Sequence, residues 1–185
     1  MKNRMSILII TLTIIGIISA VSLAFVYEWT KPHIKEHEMK ARESAVFEVL
    51  PGAQEYKVEE KEGTTFYEGF NENGNRIGVA VIEKGSGFQG EIRMMVGTDP
   101  DTEKINGIKI LEHQETPGLG ARITEDEYKN NYVDKPFGKY SVVKQSTDNP
   151  SEVEAISGAT ISSEKVAEIT EKAINKIKTN YGSGS

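Results

Sequence analysis

Apolar residues are spread along this chain in two different ways. From Met5 to Tyr27 no residue is charged, and Ile7 to Ile18 is almost wholly Ile, Leu and Thr. A run of about 20 apolar residues matches the hydrocarbon thickness of a bilayer. Residues 1–29 are therefore expected to carry one transmembrane helix. The competing reading is a cleaved secretory leader, with Lys2 and Arg4 as its basic start and Ser22-Leu23-Ala24 as its cleavage site. The apolar stretch continues past those small residues to Val26, which favours the span. Tyr27 and Trp29 stand where an interfacial aromatic belt would place them.

Past that run the pattern breaks into shorter periods. Thr30 to Leu50, within residues 30–52, reads as a juxtamembrane helix with Thr30 as N-cap and Pro32 in its first turn. Ala45, Val46, Val49 and Leu50 give it an apolar face, and Pro51-Gly52 ends it. Residues 53–181 are expected to form one domain. Strand-like runs follow at Thr64 to Phe70, Arg76 to Glu83, Ile92 to Gly97 and Lys104 to His113. Asn73-Gly74-Asn75 reads as the turn of a hairpin between the first two, and Asn106-Gly107 as a further turn. Consecutive strands without helices between them predict an antiparallel sheet, so the fold class is α+β. Thr124 to Tyr132 predicts a short helix capped by Thr124, with Glu125, Asp126 and Glu127 in its first turn. Val166, Ile169, Ala173, Ile174 and Ile177 recur at helical spacing, predicting a last helix over Ser163 to Thr179 that packs on the sheet. Residues 182–185 read as a flexible tail or linker.

Composition removes several functions. With 22 Lys and Arg against 28 Asp and Glu the net charge is −6, the wrong sign for a nucleic-acid partner. The absence of Cys excludes disulfides, thiolate metal sites and a Cys nucleophile. Lys and Arg flank both ends of the apolar run, so their count leaves its orientation open. His33 and His37 stand four apart but lack further ligands and read as solvated, so no metal site is expected. The acidic pairs Glu59-Glu60 and Asp99-Asp101 read as surface charge.

Chemistry is expected in three glycine-containing stretches. The first is Gly85-Ser86-Gly87-Phe88-Gln89-Gly90 between two strands, and the second is Glu115-Thr116-Pro117-Gly118-Leu119-Gly120 after the last strand. The third is Ser157-Gly158-Ala159-Thr160-Ile161-Ser162-Ser163, at the start of the last helix. The third delivers hydroxyls to a helix N-terminus, where free N–H groups and the helix dipole favour an anion, phosphate being the common one. The plain alternative is a helix cap by Ser162 or Ser163. For Glu115 the plain reading is an exposed turn carboxylate, and for Leu119 core packing. No Gly-Lys-Ser/Thr follows any of the loops, so none is a Walker loop.

The order of these stretches after a membrane span resembles the FMN-binding-domain family, and within it the G subunits of Rnf complexes. Those are relatives of the C subunit of the sodium-translocating NADH:quinone oxidoreductase. The resemblance rests on G-x-G-x-x-G-x-I from Gly85 to Ile92, then E-T-P-G-L-G, then S-G-A-T, and it covers essentially the whole chain. It implies FMN bound covalently through a phosphoester to Thr160, installed from FAD by a flavin transferase, with Glu154 at the acidic position ahead of S-G-A-T. The expected binding residues are Thr160, Ser157, Gly158, Ala159, Ile161, Ser162, Glu115, Thr116, Gly118, Leu119, Gly120 and Phe88. Phe88 and Leu119 would cover the ring faces, Glu115 and Thr116 would approach the ring or ribityl chain, and Gly118 and Gly120 would permit close backbone approach.

The resemblance also implies a function. The chain would relay electrons in a complex coupling ferredoxin and NAD to ion translocation, with no acid–base or nucleophilic catalyst of its own. Its partners would be the D, A and E subunits and more distantly B and C, with the domain on the extracytoplasmic side of the cell membrane and the span in lipid. The alternatives are the equivalent subunit of the quinone-reducing pump, a stand-alone extracytoplasmic flavoprotein, or an anchored non-redox binding module in which S-G-A-T only caps a helix.

Overall fold

Alternation of side chains gives the central sheet two apolar faces, and each face has its own cover. The computed structural model describes residues 2–145 and 147–182, apart from the side chains of residues 2, 3, 32, 33 and 35. The expected tail, beyond Gly182, and the side chain of His33 lie outside the described residues. Residues 1–41 and 42–185 form separate compact units.

In the first unit the chain is helical throughout its described length. Helix α1 (Lys2–Val49) contains, among the described residues, the one stretch long and apolar enough to cross a membrane, with a mean hydropathy of 2.6. Its hydroxyls are satisfied internally: Thr11 donates to the Ile7 carbonyl and Thr13 to the Ile9 carbonyl, both at 2.9 Å. The helix start expected at Thr30 is absent. Thr30 lies inside α1 and donates its hydroxyl to the Val26 carbonyl at 2.7 Å instead of capping a new helix. Pro32 costs one backbone bond, but good helix formers on both sides carry the helix through it, reinforced by a Lys40–Glu36 pair at 2.7 Å.

The second unit is built on a five-stranded antiparallel meander. Its strands are β1 (Glu55–Lys61), β2 (Thr64–Phe70), β3 (Arg76–Ser86), β4 (Glu91–Asp99) and β5 (Lys104–Glu112), adjacent in chain order. The fold is α+β, as expected. Glu62 and Gly63 turn β1 into β2, while the β2–β3 hairpin is held by Asn71, whose side-chain oxygen accepts from the N–H groups of Asn73 and Asn75. Two short strands, β6 (Ser141–Val143) and β7 (Glu152–Glu154), pair in parallel apart from this sheet.

One face of the sheet, carrying Phe66, Val79, Val81, Ile92, Met94 and Val96, is buried beneath helix α3 (Thr160–Tyr181). Val166, Ile169, Ala173, Ile174 and Ile177 supply the helix side of that core, matching the expected spacing. The opposite face, with Tyr67, Ala80 and Met95, packs against Ala45, Val46, Val49 and Leu50 at the end of α1.

Asn106-Gly107 is not a turn. Both residues lie within β5, where Gly97 pairs with Gly107 and Thr98 with Ile105, leaving Asn106 as a bulge. The reason is packing: a side chain at Gly97 would collide with the Val49 backbone, so glycine lets the helix end sit directly on the sheet. The short helix expected over Thr124 to Tyr132 is broken up. A 3-10 turn (Gly120–Thr124) precedes α2 (Asp126–Lys129), and a second turn (Asn130–Tyr132) follows. Thr124 does not cap α2, because its hydroxyl donates back to the Ala121 carbonyl at 2.9 Å.

Candidate functional site

The three glycine-containing stretches, far apart in sequence, meet at the N-terminal end of α3. One carboxylate joins them. Glu115 is only 4% exposed, so it is no surface turn residue. Its Oε1 accepts from the Phe88 N–H at 2.8 Å and the Gln89 N–H at 3.1 Å, while its other oxygen accepts from the Ser162 hydroxyl. An ionised carboxylate suits three donors, because such charge-assisted bonds are stronger than neutral ones. A side chain at Gly87 or Gly120 would run into this carboxylate, so the loops close on it only with glycine there.

Helix α3 begins three residues earlier than the periodicity predicts, which places Thr160 at its first position. Neither Ser162 nor Ser163 caps it. Ser162 is committed to Glu115, while Ser163 accepts from the Ile156 N–H at 3.0 Å and donates to the Ala159 carbonyl at 3.2 Å. Ala159 occupies the N-cap position and offers no side-chain cap. Beneath this turn the Tyr128 hydroxyl donates to the Ser163 carbonyl at 3.2 Å and lies 3.2 Å from the Tyr132 hydroxyl. Burial pushes the Tyr128 phenol up to about 12. The first turn of α3 thus rests on a fixed, uncharged support.

Over the carboxylate opens a cleft of about 320 Å³, within the range of small-molecule sites. Phe88 forms one wall, and Thr116, Leu119 and Gly120 another beside Glu115. Gly158, Ala159, Thr160, Ile161 and Ser162 close the third. Ten of the twelve expected binding residues therefore line one cleft. The exceptions are Gly118, which turns the loop at φ +76°, and Ser157, which faces a polar cleft on the other side of Thr160. Phe88 is 61% exposed, and Leu119 and Ile161 are each 47% exposed. Large apolar side chains left open around a cleft signal a surface meant to be covered. Leu119 is thus not core packing.

Lys144, Ala155 and Ile156 also border Thr160, on the polar side. Ala155 and Ile156 stand between Glu154 and the S-G-A-T string, whereas Lys144 carried no signal in the sequence, since it follows a three-residue strand and belongs to no motif.

The sequence profile of the FMN-binding domain matches residues 87–175, a range that spans all three stretches from Gly87 onward. Over nearly its full length the chain is 32% identical to the G subunit of the ion-translocating oxidoreductase complex of Methanosarcina acetivorans, covering 94% of this chain and 95% of that one. The chain belongs to the family of these G subunits. It is also 31% identical to the G subunit of the proton-translocating ferredoxin:NAD(+) oxidoreductase complex of Clostridium ljungdahlii, over 98% of this chain and 97% of that one. To the Na(+)-translocating counterpart of Acetobacterium woodii it is 30% identical, over 84% and 83% of the two chains. Among solved structures, NqrC of Shewanella oneidensis superposes with a TM-score of 0.54 at 21% identity, over 69% of this chain and 72% of that one. That likeness shows a shared fold.

Proposed function

We propose that this chain relays electrons within a membrane-bound ion-translocating ferredoxin:NAD oxidoreductase complex, through FMN esterified to Thr160. The observation that carries this reading is the position of the Thr160 hydroxyl: a half-buried side chain at the start of a long helix, on the rim of an open apolar cleft. The residues fit the group. Phe88, Leu119 and Ile161 offer apolar atoms for a flat ring, and the uncapped N-terminal turn of α3 favours a phosphate beside Thr160. During loading the Thr160 oxygen forms the new P–O bond and loses its proton, as AMP leaves FAD in the active site of a flavin transferase. When bound, FMN supplies one- and two-electron redox chemistry.

The chain's own residues then act by position. Glu115 holds the Phe88 backbone and Ser162 in register, which fixes two walls of the cleft relative to each other. Phe88, Leu119 and Ile161 keep water from the ring. A tethered carrier needs no association step, so transfer depends on distance and on partners docked at the open side. The apolar part of α1 anchors the chain in lipid as a single span, with the domain on the extracytoplasmic side and the D, A and E subunits as neighbours.

The test is co-expression of the full chain with a flavin transferase, followed by a denaturing gel viewed for flavin fluorescence. Wild type and Thr160→Ser carry a fluorescent band, and Thr160→Ala loses it at equal expression. An unmodified intact mass for the wild-type chain under these conditions overturns the proposal.

A further inference from the structure

Thr160 borders two clefts of opposite character, and only one holds a positive charge. The apolar cleft over Glu115 has no cation in its lining. The second cleft, about 380 Å³, is lined by Thr160, Gly158, Ser157, Ile156, Ala155 and Lys144. Lys144 is exposed and has no carboxylate partner among the described residues.

Next to it lies a third cleft of about 230 Å³ that Lys144 also borders. There Glu125, Glu127 and Glu154 outnumber Lys144 and Arg122, and Arg122 is already paired with Glu125 at 3.1 Å. An anion is repelled from that side. An anion held by Lys144 is therefore favoured on the Thr160 side, where no carboxylate lines the cleft and Lys144 is its one cation.

We propose that Lys144 binds the phosphate of the group esterified to Thr160 and so divides the site, with phosphate on the polar side and the ring on the apolar side. This rests on the reading of Thr160 given above. A phosphodiester carries one negative charge, which one lysine ammonium neutralises as a point charge. Fixing the phosphate on the Lys144 side limits rotation about the ester and directs the remainder of the cofactor over Leu119 and Phe88. Lys144 is a binding and positioning residue and takes no part in electron transfer.

The experiment uses the full chain loaded by a flavin transferase, purified in detergent, and read by phosphorus NMR. Three chains are compared: wild type, Lys144→Gln and Lys144→Arg. The phosphorus resonance is expected to shift in Lys144→Gln and to return toward the wild-type position in Lys144→Arg. At limiting FAD the loading rate of Lys144→Gln falls about two- to fivefold, the size expected for one solvent-exposed charge interaction, and that of Lys144→Glu falls about tenfold. In a Thr160→Ala background the Lys144→Gln change leaves the melting temperature unaltered, which separates phosphate binding from folding. Equal resonances in loaded wild type and Lys144→Gln overturn the proposal. Absence of any covalent phosphorus signal from the wild type instead overturns the assignment of Thr160.

Discussion

Ser162, in the first turn of α3, donates its hydroxyl to the carboxylate of Glu115, 47 residues earlier in the chain. The same carboxylate accepts from the Phe88 and Gln89 N–H groups, so one side chain sets the distance between three walls of the cleft. Glu115→Ala strands two part-buried backbone donors and a buried hydroxyl. Each unsatisfied group costs about 1–3 kcal/mol, so a loss of about 3–5 kcal/mol is expected, together with loss of flavin loading. Glu115→Gln keeps one acceptor for the N–H groups and is expected to lose about 1 kcal/mol. Denaturant titration of the full chain in detergent, beside in-gel fluorescence, checks both.

Phe88 and Leu119 offer the converse case. Both are largely exposed, so Phe88→Ala and Leu119→Ala are expected to change stability by no more than about 0.5 kcal/mol. Their effect falls on the cofactor: the flavin absorption and fluorescence of the loaded chain change as water reaches the ring. A melting curve and a visible spectrum on the same sample separate the two effects. Unaltered spectra in both variants would remove these residues from the site.

Gly97 faces the Val49 backbone, and any Cβ there overlaps it. Gly97→Ala is therefore expected to cost about 1–3 kcal/mol, the usual penalty for overpacking. Because the collision lies on the sheet face away from α3, flavin loading of the folded fraction should persist. Thermal melts with and without the transferase decide this.

Glu48 ties the end of α1 to the domain, pairing with Lys109 at 2.6 Å and with the nearly buried Lys129 at 2.8 Å. Burial alone would raise its carboxyl, but the hydrogen bonds and charges of the two lysines outweigh it and hold it below the ordinary value of 4.5. A carboxyl lowered in the folded state stabilises the protein above the unfolded value, and that contribution disappears as pH falls from about 4.5 through the lower folded value. Lys129 is raised above 10.5 by Asp126 and Glu48 despite burial, which favours its charged form. Its contribution is full below 10.5 and lost as pH rises through the folded value. Lys129→Met should flatten the acid limb of a stability profile and cost about 1–3 kcal/mol near neutrality, because Glu48 keeps Lys109. Melting temperatures from pH 3 to pH 8 measure the flattening.

Strands β2 to β5 were legible because each is a short run rich in apolar residues bounded by polar or glycine-containing stretches, and β2 begins and ends where its run does. Strand β1 gave no such signal. Only Tyr56 and Val58 among its residues are apolar, most of its positions are exposed as suits an edge, and pairing with β2 alone makes it a strand. Asn106-Gly107 carries the residue types of a turn, but the local preference yields to the space Val49 needs. The site was legible as three strings of residues and not as a geometry. No local pattern could show that Glu115 is buried, because its donors lie 26, 27 and 47 residues away.

That separation also orders events during synthesis. The Phe88 loop and Glu115 leave the ribosome well before Ser162, and until the start of α3 emerges the carboxylate lacks its third donor. Thr160, the proposed acceptor of the cofactor, arrives only two positions ahead of that serine. The acceptor and the last tie of its surrounding walls are thus translated together, so a nascent chain does not expose the hydroxyl for long before a cleft can shelter what is placed on it.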